Sequence, residues 1–172
     1  MSTRKRRESD SFPEWYNPEL PNPEECVTGP LLDLCRDKHP KKVFARFEGD
    51  VQWTYEDVWF KVRRWAAGLQ NIGVSADDTV LVWLPNRPEI INAWFSINYI
   101  GAIYVPVNTA YRGDVLSHVI ENSGARLLIA HHDLISRLTD LDLGQLELVI
   151  SVGKPPEISL SIPIKDARNL EG

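Results

Sequence analysis

Four short apolar segments, separated by stretches with helical patterns, constrain the fold of this chain more than any other feature. They begin at residues 79, 102, 126 and 146, so each interval leaves room for one helix. None of them alternates apolar with polar residues, which is typical of parallel strands covered on both faces. Alternation of strand and helix indicates βαβ units. We therefore predict an α/β fold with a parallel, doubly wound sheet and flanking helices.

A small N-terminal β-hairpin is predicted ahead of this sheet. Residues 43–47 and 51–53 have strand character, and residues 48–50 have the composition of a turn. Thr54 is a candidate cap for a long helix, with Asp57 placed as its partner in a capping-box arrangement. The apolar residues of that helix recur at helical spacing. A first short helix is expected after Thr28.

Three regions follow from this pattern. Residues 1–27 are rich in proline and predict an irregular arm. Its basic run, residues 4–7, has two interpretations: a nuclear address or anionic-surface patch, or a solvated terminus, and the second is favoured. Residues 28–152 form the predicted α/β subdomain. Residues 153–172 contain three prolines and no clear period, so they predict a linker.

Charge and cysteine content narrow the classes of function. The chain has 19 basic and 24 acidic residues, a formal net charge of -5. Four of the basic residues lie at positions 4–7, so residues 11–172 hold 15 basic and 22 acidic residues. A remainder this acidic is a poor candidate for nucleic-acid binding. Cys26 and Cys35 match neither a zinc pattern nor a disulfide framework. With no secretory signal and no apolar stretch of membrane-spanning length, we expect a cytoplasmic protein.

A search for catalytic motifs predicts no catalytic constellation. The chain has no G-x-G-x-x-G, no G-x-S-x-G and no H-E-x-x-H. Gly68 and Gly73 have the outer spacing of a P-loop but lack its Lys-Ser/Thr pair. Both glycines are interpreted as parts of a helix and its end.

Four residues remain as candidates at the ends of predicted strands. His131 and His132 stand where a strand meets a helix, with a helix-entry role favoured over a ligand role. Since they are adjacent and no carboxylate or cysteine is predicted to join them, no metal site is predicted. Asn86 is interpreted as a helix cap. Arg112 precedes a helix and either helps to hold a phosphate group or pairs with Asp114 on the surface, and the surface pair is favoured.

The order of four motifs goes further than any of them alone. The chain resembles the adenylate-forming acyl-CoA synthetases, the AMP-binding enzymes, over residues 28–152. Within that superfamily, the residues of these motifs are most similar to those of carnitine/crotonobetaine–CoA and fatty-acid CoA ligases. The segments that carry the resemblance are residues 53–58 (WTYEDV), 80–89 (VLVWLPNRPE), 99–108 (YIGAIYVPVN) and 111–116 (YRGDVL).

This resemblance implies a reaction in two steps. A carboxylate attacks the α-phosphate of ATP to give an acyl-adenylate, and the thiol of CoA then attacks the acyl carbon, with Mg²⁺ balancing the phosphate charge. In the family, the Ser/Thr/Gly-rich phosphate loop and the catalytic lysine lie beyond the matching region, and neither occurs here. No catalytic residue is therefore assigned. Some members contact CoA phosphates at a position equivalent to Ala110, which makes Arg112 a candidate at the CoA entrance.

The resemblance also predicts what these 172 residues do alone. We expect an incomplete N-terminal subdomain of a larger adenylate-forming fold, inactive by itself, with no tight binding of ATP, Mg²⁺ or CoA. The alternative is a non-catalytic α/β interaction module derived from such an enzyme. In either case, uncovered apolar surface predicts self-association.

Overall fold

A computed structural model describes residues 27–154 and 158–171 of the chain. The basic run at residues 4–7, Cys26 and two of the linker prolines lie outside the described residues. The helices are α1 Thr28–Lys38, α2 Tyr55–Asn71, α3 Pro88–Tyr99, α4 Gly113–Ser123 and α5 His132–Ile135, with 3₁₀ helices at Ser136–Leu138 and Ala167–Glu171. The strands are β1 Val43–Arg46, β2 Gln52–Thr54, β3 Thr79–Trp83, β4 Ile103–Pro106, β5 Leu127–His131, β6 Leu148–Val152 and β7 Ile164–Asp166.

The main sheet has five strands in the order β4-β3-β5-β6-β7, and every pair of neighbours is parallel. The chain starts near one side with β3, steps outward to β4, and then crosses back to β5, β6 and β7. The predicted parallel α/β sheet is thereby confirmed.

Side chains on the two faces of the sheet form two separate apolar cores. Val80 and Val82 of β3 point to the face covered by α2 and α3, whereas Leu81 and Trp83 point to the face covered by α4 and α5. All four are almost completely buried. Helices on both faces explain why the strands carry no polar alternation, and they make the sheet doubly wound, as predicted.

The predicted hairpin is also present. β1 pairs antiparallel with β2, and the two form a sheet of their own. A third apolar cluster joins this hairpin to α1 and α2 through Leu32, Val58 and Val62, all buried. In addition, the indole Nε1 of Trp59 donates to Asp33 Oδ1 at 2.7 Å, which connects α2 to α1.

The start of α2 is a complete capping box. The backbone N–H of Asp57 donates to Thr54 Oγ1 at 3.2 Å, and the backbone N–H of Thr54 donates to Asp57 Oδ2 at 2.8 Å. These hydrogen bonds hold the pKa of the Asp57 carboxyl below its usual value of 3.8, the backbone N–H of Thr54 contributing most. The prediction from Thr54 and Asp57 is confirmed.

The structure differs from the sequence prediction in the segment expected to be a linker. Within residues 153–172, β7 pairs with β6, and the 3₁₀ helix Ala167–Glu171 packs on α2. Ala167 and Leu170 are buried in the same core as the α2 residues Trp65 and Leu69. The segment escaped prediction because β7 has only three residues, of which one is exposed and two are half-buried, too few to show a period.

Two local predictions are corrected as well. The helix expected over 133–141 is the four-residue α5 followed by a 3₁₀ helix. Asn86 is not the cap of α3: that position is Arg87, and no side chain caps the helix. Pro88 at the first helical position has no N–H to satisfy, which lessens the need for a capping side chain.

Candidate functional site

The carboxyl ends of the five parallel strands meet at one edge of the sheet. In open α/β sheets, ligands bind at this edge, at the point where successive connections run to opposite sides. Here that point lies between β3 and β5, since the chain leaves β3 toward β4 and returns to β5. The loop after β3 and residues 131–133 therefore border the expected crevice, and the loop after β4 lies beside it.

The loop between β4 and α4 is fixed by two side chains from neighbouring elements. Trp83, at the end of β3, donates from its indole Nε1 to the carbonyl oxygen of Asn108 at 3.0 Å. Arg137 donates from Nη1 to the carbonyl oxygen of Thr109 at 2.6 Å, and its guanidinium lies 5.7 Å from the Trp83 ring centroid. These contacts hold the backbone just before Arg112.

Arg112 occupies the position preceding α4 and is exposed. The predicted surface pair with Asp114 is wrong: among the described residues, no ion pair joins Arg112 to Asp114. The charge of Arg112 instead acts on a second cation, Arg137. Burial, and after it the positive charge of Arg112, lowers the pKa of the Arg137 guanidinium. Two guanidinium groups thus bring positive charge to this end of the sheet.

The end of β5 brings together His131, His132 and Asp133. His131 Nδ1 lies 3.4 Å from Asp133 Oδ2, and His132 Nε2 lies 3.0 Å from Asp133 Oδ1. The expectation that no carboxylate joins the two histidines is therefore wrong. It failed because it considered helix faces, whereas His131 ends a strand and precedes α5 as its cap, so the chain turns between the two rings.

His131 is a buried titratable group at this edge. The residue is 6% exposed, and its Nε2 has no hydrogen-bond partner among the described residues. Burial, and after it the neighbouring His132, lowers the pKa of His131 below its usual value. A buried neutral imidazole with one ring nitrogen unsatisfied is an unusual feature at the end of a core strand.

Arg87 and Glu89 complete the described edge next to His131. Arg87 Nε lies 3.4 Å from Glu89 Oε2, a partly exposed ion pair at the start of α3. Both of these carboxylates therefore face nitrogen groups: Glu89 faces Arg87, and Asp133 faces two imidazoles. Mg²⁺ prefers oxygen ligands, so these residues do not fit the Mg²⁺ that accompanies ATP, and no step is assigned to it here.

A concavity of about 90 Å³ lies at the opposite edge, among the amino ends of β3, β5 and β6. Its charged groups Arg126 and Glu147 pair with each other at 2.7 Å. Because this pair is satisfied and lies away from the carboxyl edge, the crevice between β3 and β5 remains the candidate site.

Two results of this geometry were not predicted from the sequence. Asp133 joins the histidines, and Arg137 holds the loop that carries Arg112. Arg137 was expected on a helix, but no pattern in the sequence indicates which loop its guanidinium contacts. Arg112 itself lies where it was predicted, directly before α4.

The sheet order, the helices on both faces and the polar carboxyl edge define a doubly wound α/β protein of the ligand-binding type. Residues 33–170 match the sequence model of the family described as AMP-binding enzyme. Since that match covers most of the chain, the protein belongs to the AMP-binding enzyme family. The resemblance to adenylate-forming enzymes is thereby confirmed.

Individual relatives agree with this assignment. The chain is 33% identical over 115 residues to 4-coumarate–CoA ligase 4 of Arabidopsis thaliana, covering 58% of this chain and 20% of the relative. It is 36% identical over 103 residues to the medium/long-chain-fatty-acid–CoA ligase FadD6 of Mycobacterium tuberculosis, covering 60% and 17%. The chain thus spans about a fifth of the length of these curated relatives.

Solved structures support the fold. The anthranilate CoA ligase AuaEII, solved in complex with anthranoyl-AMP, aligns with a TM-score of 0.74 at 20% identity. The alignment covers 84% of this chain and 27% of that one. The chain therefore has the α/β fold of part of an adenylate-forming enzyme. No helix within the described residues combines the length and apolar character required to cross a membrane.

Proposed function

We propose that these residues form the first α/β layer of an ATP-dependent acid:CoA ligase, which activates a carboxylate as an acyl-adenylate and transfers it to CoA. The observation that carries this proposal is the match of residues 33–170 to the AMP-binding enzyme family. The relatives named above as CoA ligases support the same reaction class.

In this proposal the 172 residues do not catalyse the reaction alone. Their role is to supply one sheet layer and one wall of the active-site cleft. The sequence contains no Ser/Thr/Gly-rich phosphate loop ending in a Pro-Lys pair. Among the described residues, the carboxyl edge brings Arg87, Arg112 and Arg137 together with two histidines, but it lacks a paired nucleophile and base.

Within this function, Arg112 is proposed as a cation at the CoA entrance. Its guanidinium is exposed at the start of α4, and the preceding loop is held by Trp83 and Arg137. A guanidinium next to a helix N-terminus suits a phosphate group. A fixed backbone lowers the entropy lost when the side chain binds.

ATP–pyrophosphate exchange tests the catalytic part of the proposal. The purified chain is incubated with ATP, Mg²⁺ and a panel of aromatic and fatty acids, with a full-length CoA ligase as the positive control. We expect no exchange above the enzyme-free background. Exchange that scales with the concentration of this chain would contradict the proposal that it requires further residues.

Titration of the same preparation with CoA tests Arg112. We expect weak binding with NMR shifts concentrated at residues 109–114, and loss of these shifts in Arg112→Ala. The matched control is Arg168→Ala, which removes an exposed arginine paired with Asp166 at the opposite end of the described chain. Equal losses in both variants would show non-specific attraction of CoA to positive charge.

A second candidate function is a non-catalytic interaction module. It is favoured by the apolar side chains Val27, Trp94 and Ile103, which are exposed around one concavity beside β4.

A further inference from the structure

We propose that His131, His132 and Asp133 form a binding site for a transition-metal dication of the Zn²⁺ class. This site goes beyond the proposed ligase function and does not depend on it. One ligand atom from each of the three residues can be chosen so that all three atoms lie within 4.8 Å of one another. Two imidazole nitrogens and one carboxylate oxygen form a donor set that suits Zn²⁺ and its neighbours in the first transition row.

The hydrogen bond of His132 shows which of its nitrogens is available. Its Nδ1 lies 3.3 Å from the carbonyl oxygen of Val152. A carbonyl oxygen only accepts hydrogen bonds, so Nδ1 carries the proton of this contact. In a neutral ring, Nε2 then presents a lone pair, and it faces the Asp133 carboxylate at 3.0 Å.

His131 has the same relation to Asp133. The backbone N–H of Asp133 points at His131 Nδ1 over a long 3.4 Å contact, which leaves Nδ1 as the acceptor. Nδ1 lies 3.4 Å from the other carboxylate oxygen. Two lone pairs thus face one carboxylate, an arrangement that repels unless a cation lies among the three groups. A metal ion at Nδ1 replaces the long backbone contact and leaves the ring proton on Nε2.

The separations suit a small dication. Zn²⁺ binds nitrogen and oxygen ligands at about 2.0–2.2 Å in tetrahedral sites, so neighbouring ligand atoms lie roughly 3.3 Å apart. The distances from His132 Nε2 to Asp133 Oδ1, 3.0 Å, and from His131 Nδ1 to Asp133 Oδ2, 3.4 Å, are close to that value. With a single carboxylate oxygen as the ligand, the three ligand atoms lie within 4.8 Å of one another. Three protein ligands leave the fourth position open to water or to a ligand in the crevice between β3 and β5.

The surroundings of His132 hold its ring in this position. The donation to Val152 is the contact that metal-bound histidines commonly make with their second nitrogen. Next along the chain is Gly153, where an added Cβ would lie 2.5 Å from His132 Nδ1. The end of β6 therefore supplies both a hydrogen-bond acceptor and the space that the imidazole occupies.

The test is metal binding by the untagged, metal-free full chain. Zn²⁺ is titrated by calorimetry, and Co²⁺ is followed by its visible absorption spectrum. We expect one equivalent of each metal to bind, a Co²⁺ spectrum of low coordination number, and no comparable binding of Mg²⁺. Mutation of a residue that only contacts a metal ligand commonly costs 10–100-fold in metal affinity. Because His132 and Asp133 are the proposed ligands themselves, we expect His132→Gln and Asp133→Asn each to weaken Zn²⁺ binding at least about tenfold.

The matched control is His118→Gln, which removes an exposed histidine on α4. The side chain of Asp133 is 71% exposed and that of His132 26% exposed. Both variants are therefore compatible with folding, and circular dichroism verifies it. His131→Gln is omitted as evidence because His131 lies in the core.

Three results would overturn the proposal. The first is the absence of a stoichiometric Zn²⁺ site in the unaltered chain. The second is an equal loss of affinity in His118→Gln and His132→Gln. Undiminished Zn²⁺ binding in both His132→Gln and Asp133→Asn counts equally against the site, because the metal would then be bound by other groups such as cysteine thiolates. The third is a ¹⁵N spectrum in which His132 is protonated at both nitrogens and unchanged by Zn²⁺, because the cation facing Asp133 would then be the imidazolium itself.

Discussion

Gly68 is a position where a glycine is required by a contact with a residue that is distant in the sequence, Leu170. It lies in the middle of α2, and a Cβ added there would lie 2.4 Å from the carbonyl oxygen of Leu170. The sequence interpretation attributed this glycine to the helix alone. In the structure, the absent side chain instead allows the 3₁₀ helix Ala167–Glu171 to approach α2 at backbone distance.

Gly68→Ala is expected to destabilise the fold by about 1–3 kcal/mol, the range for overpacking a core. Helix propensity alone predicts the opposite sign, a gain of up to about 1 kcal/mol. Chemical denaturation measures the difference, and Ala67→Gly at the exposed neighbouring position calibrates the propensity of this helix. A stabilised Gly68→Ala variant would show that the Leu170 backbone yields at no cost.

At the scale of single elements, the N-terminus of α2 depends on two reciprocal hydrogen bonds. Thr54 satisfies the N–H of Asp57, and Asp57 satisfies the N–H of Thr54. Free N–H groups at a helix start are costly, so these bonds support the helix on which the hairpin and α1 pack.

Thr54→Ala is expected to lower the free energy of unfolding by about 1 kcal/mol, as measured by urea denaturation.

Asp57→Asn is expected to change how the stability depends on pH. Because the pKa of Asp57 is lower in the folded chain than its ordinary value of 3.8, its charge stabilises the fold above that value, and the benefit is lost as the pH falls through the folded pKa. Urea denaturation should therefore show a difference between unaltered chain and Asp57→Asn that shrinks in acid. A difference independent of pH would contradict this cause.

The elements that could be predicted are those whose residues are buried on both sides or capped by neighbours in sequence. β3, β5 and α2 have these properties, and the sequence predicted the start of each within one residue of the observed start. β7 could not be predicted, because its three residues form a strand only through pairing with β6, and the sequence around them shows no strand pattern.

The candidate site divides in the same way. Arg112 was predictable because its position follows from the start of α4. The contact between Asp133 and both histidines was not, since it depends on a turn of the backbone between strand and helix. Arg137 reaches Thr109 across 28 positions, and no local pattern encodes that contact.

For the molecule as a whole, one edge of the main sheet carries exposed apolar side chains within the part of the chain that the structure describes. β4 is one of the two edge strands, with β3 as its strand neighbour among the described residues. Ile103 on β4 and Trp94 on α3 are each close to half exposed, and Val27 lies at the same concavity. An edge strand flanked by apolar side chains favours association with another chain.

We expect the chain to self-associate through this edge at high concentration. Light scattering should give a mass above 19.6 kDa that returns toward the monomer in Ile103→Lys. Val115→Lys on α4 is the matched control, because Val115 is exposed but lies on another helix. A monomeric unaltered chain, or equal effects of the two substitutions, would rule out this surface as the interface.

The contact between Gly68 and Leu170 also has a consequence for folding during translation. The core on the α2 face includes Ala167 and Leu170, so it stays open until the ribosome has released residues roughly 100 positions after Gly68. At translation rates of about 5–20 residues per second, that wait is on the order of 5–20 s. During this interval the nascent polypeptide exposes an apolar groove along α2, its longest described helix, and chaperones bind surfaces of this kind.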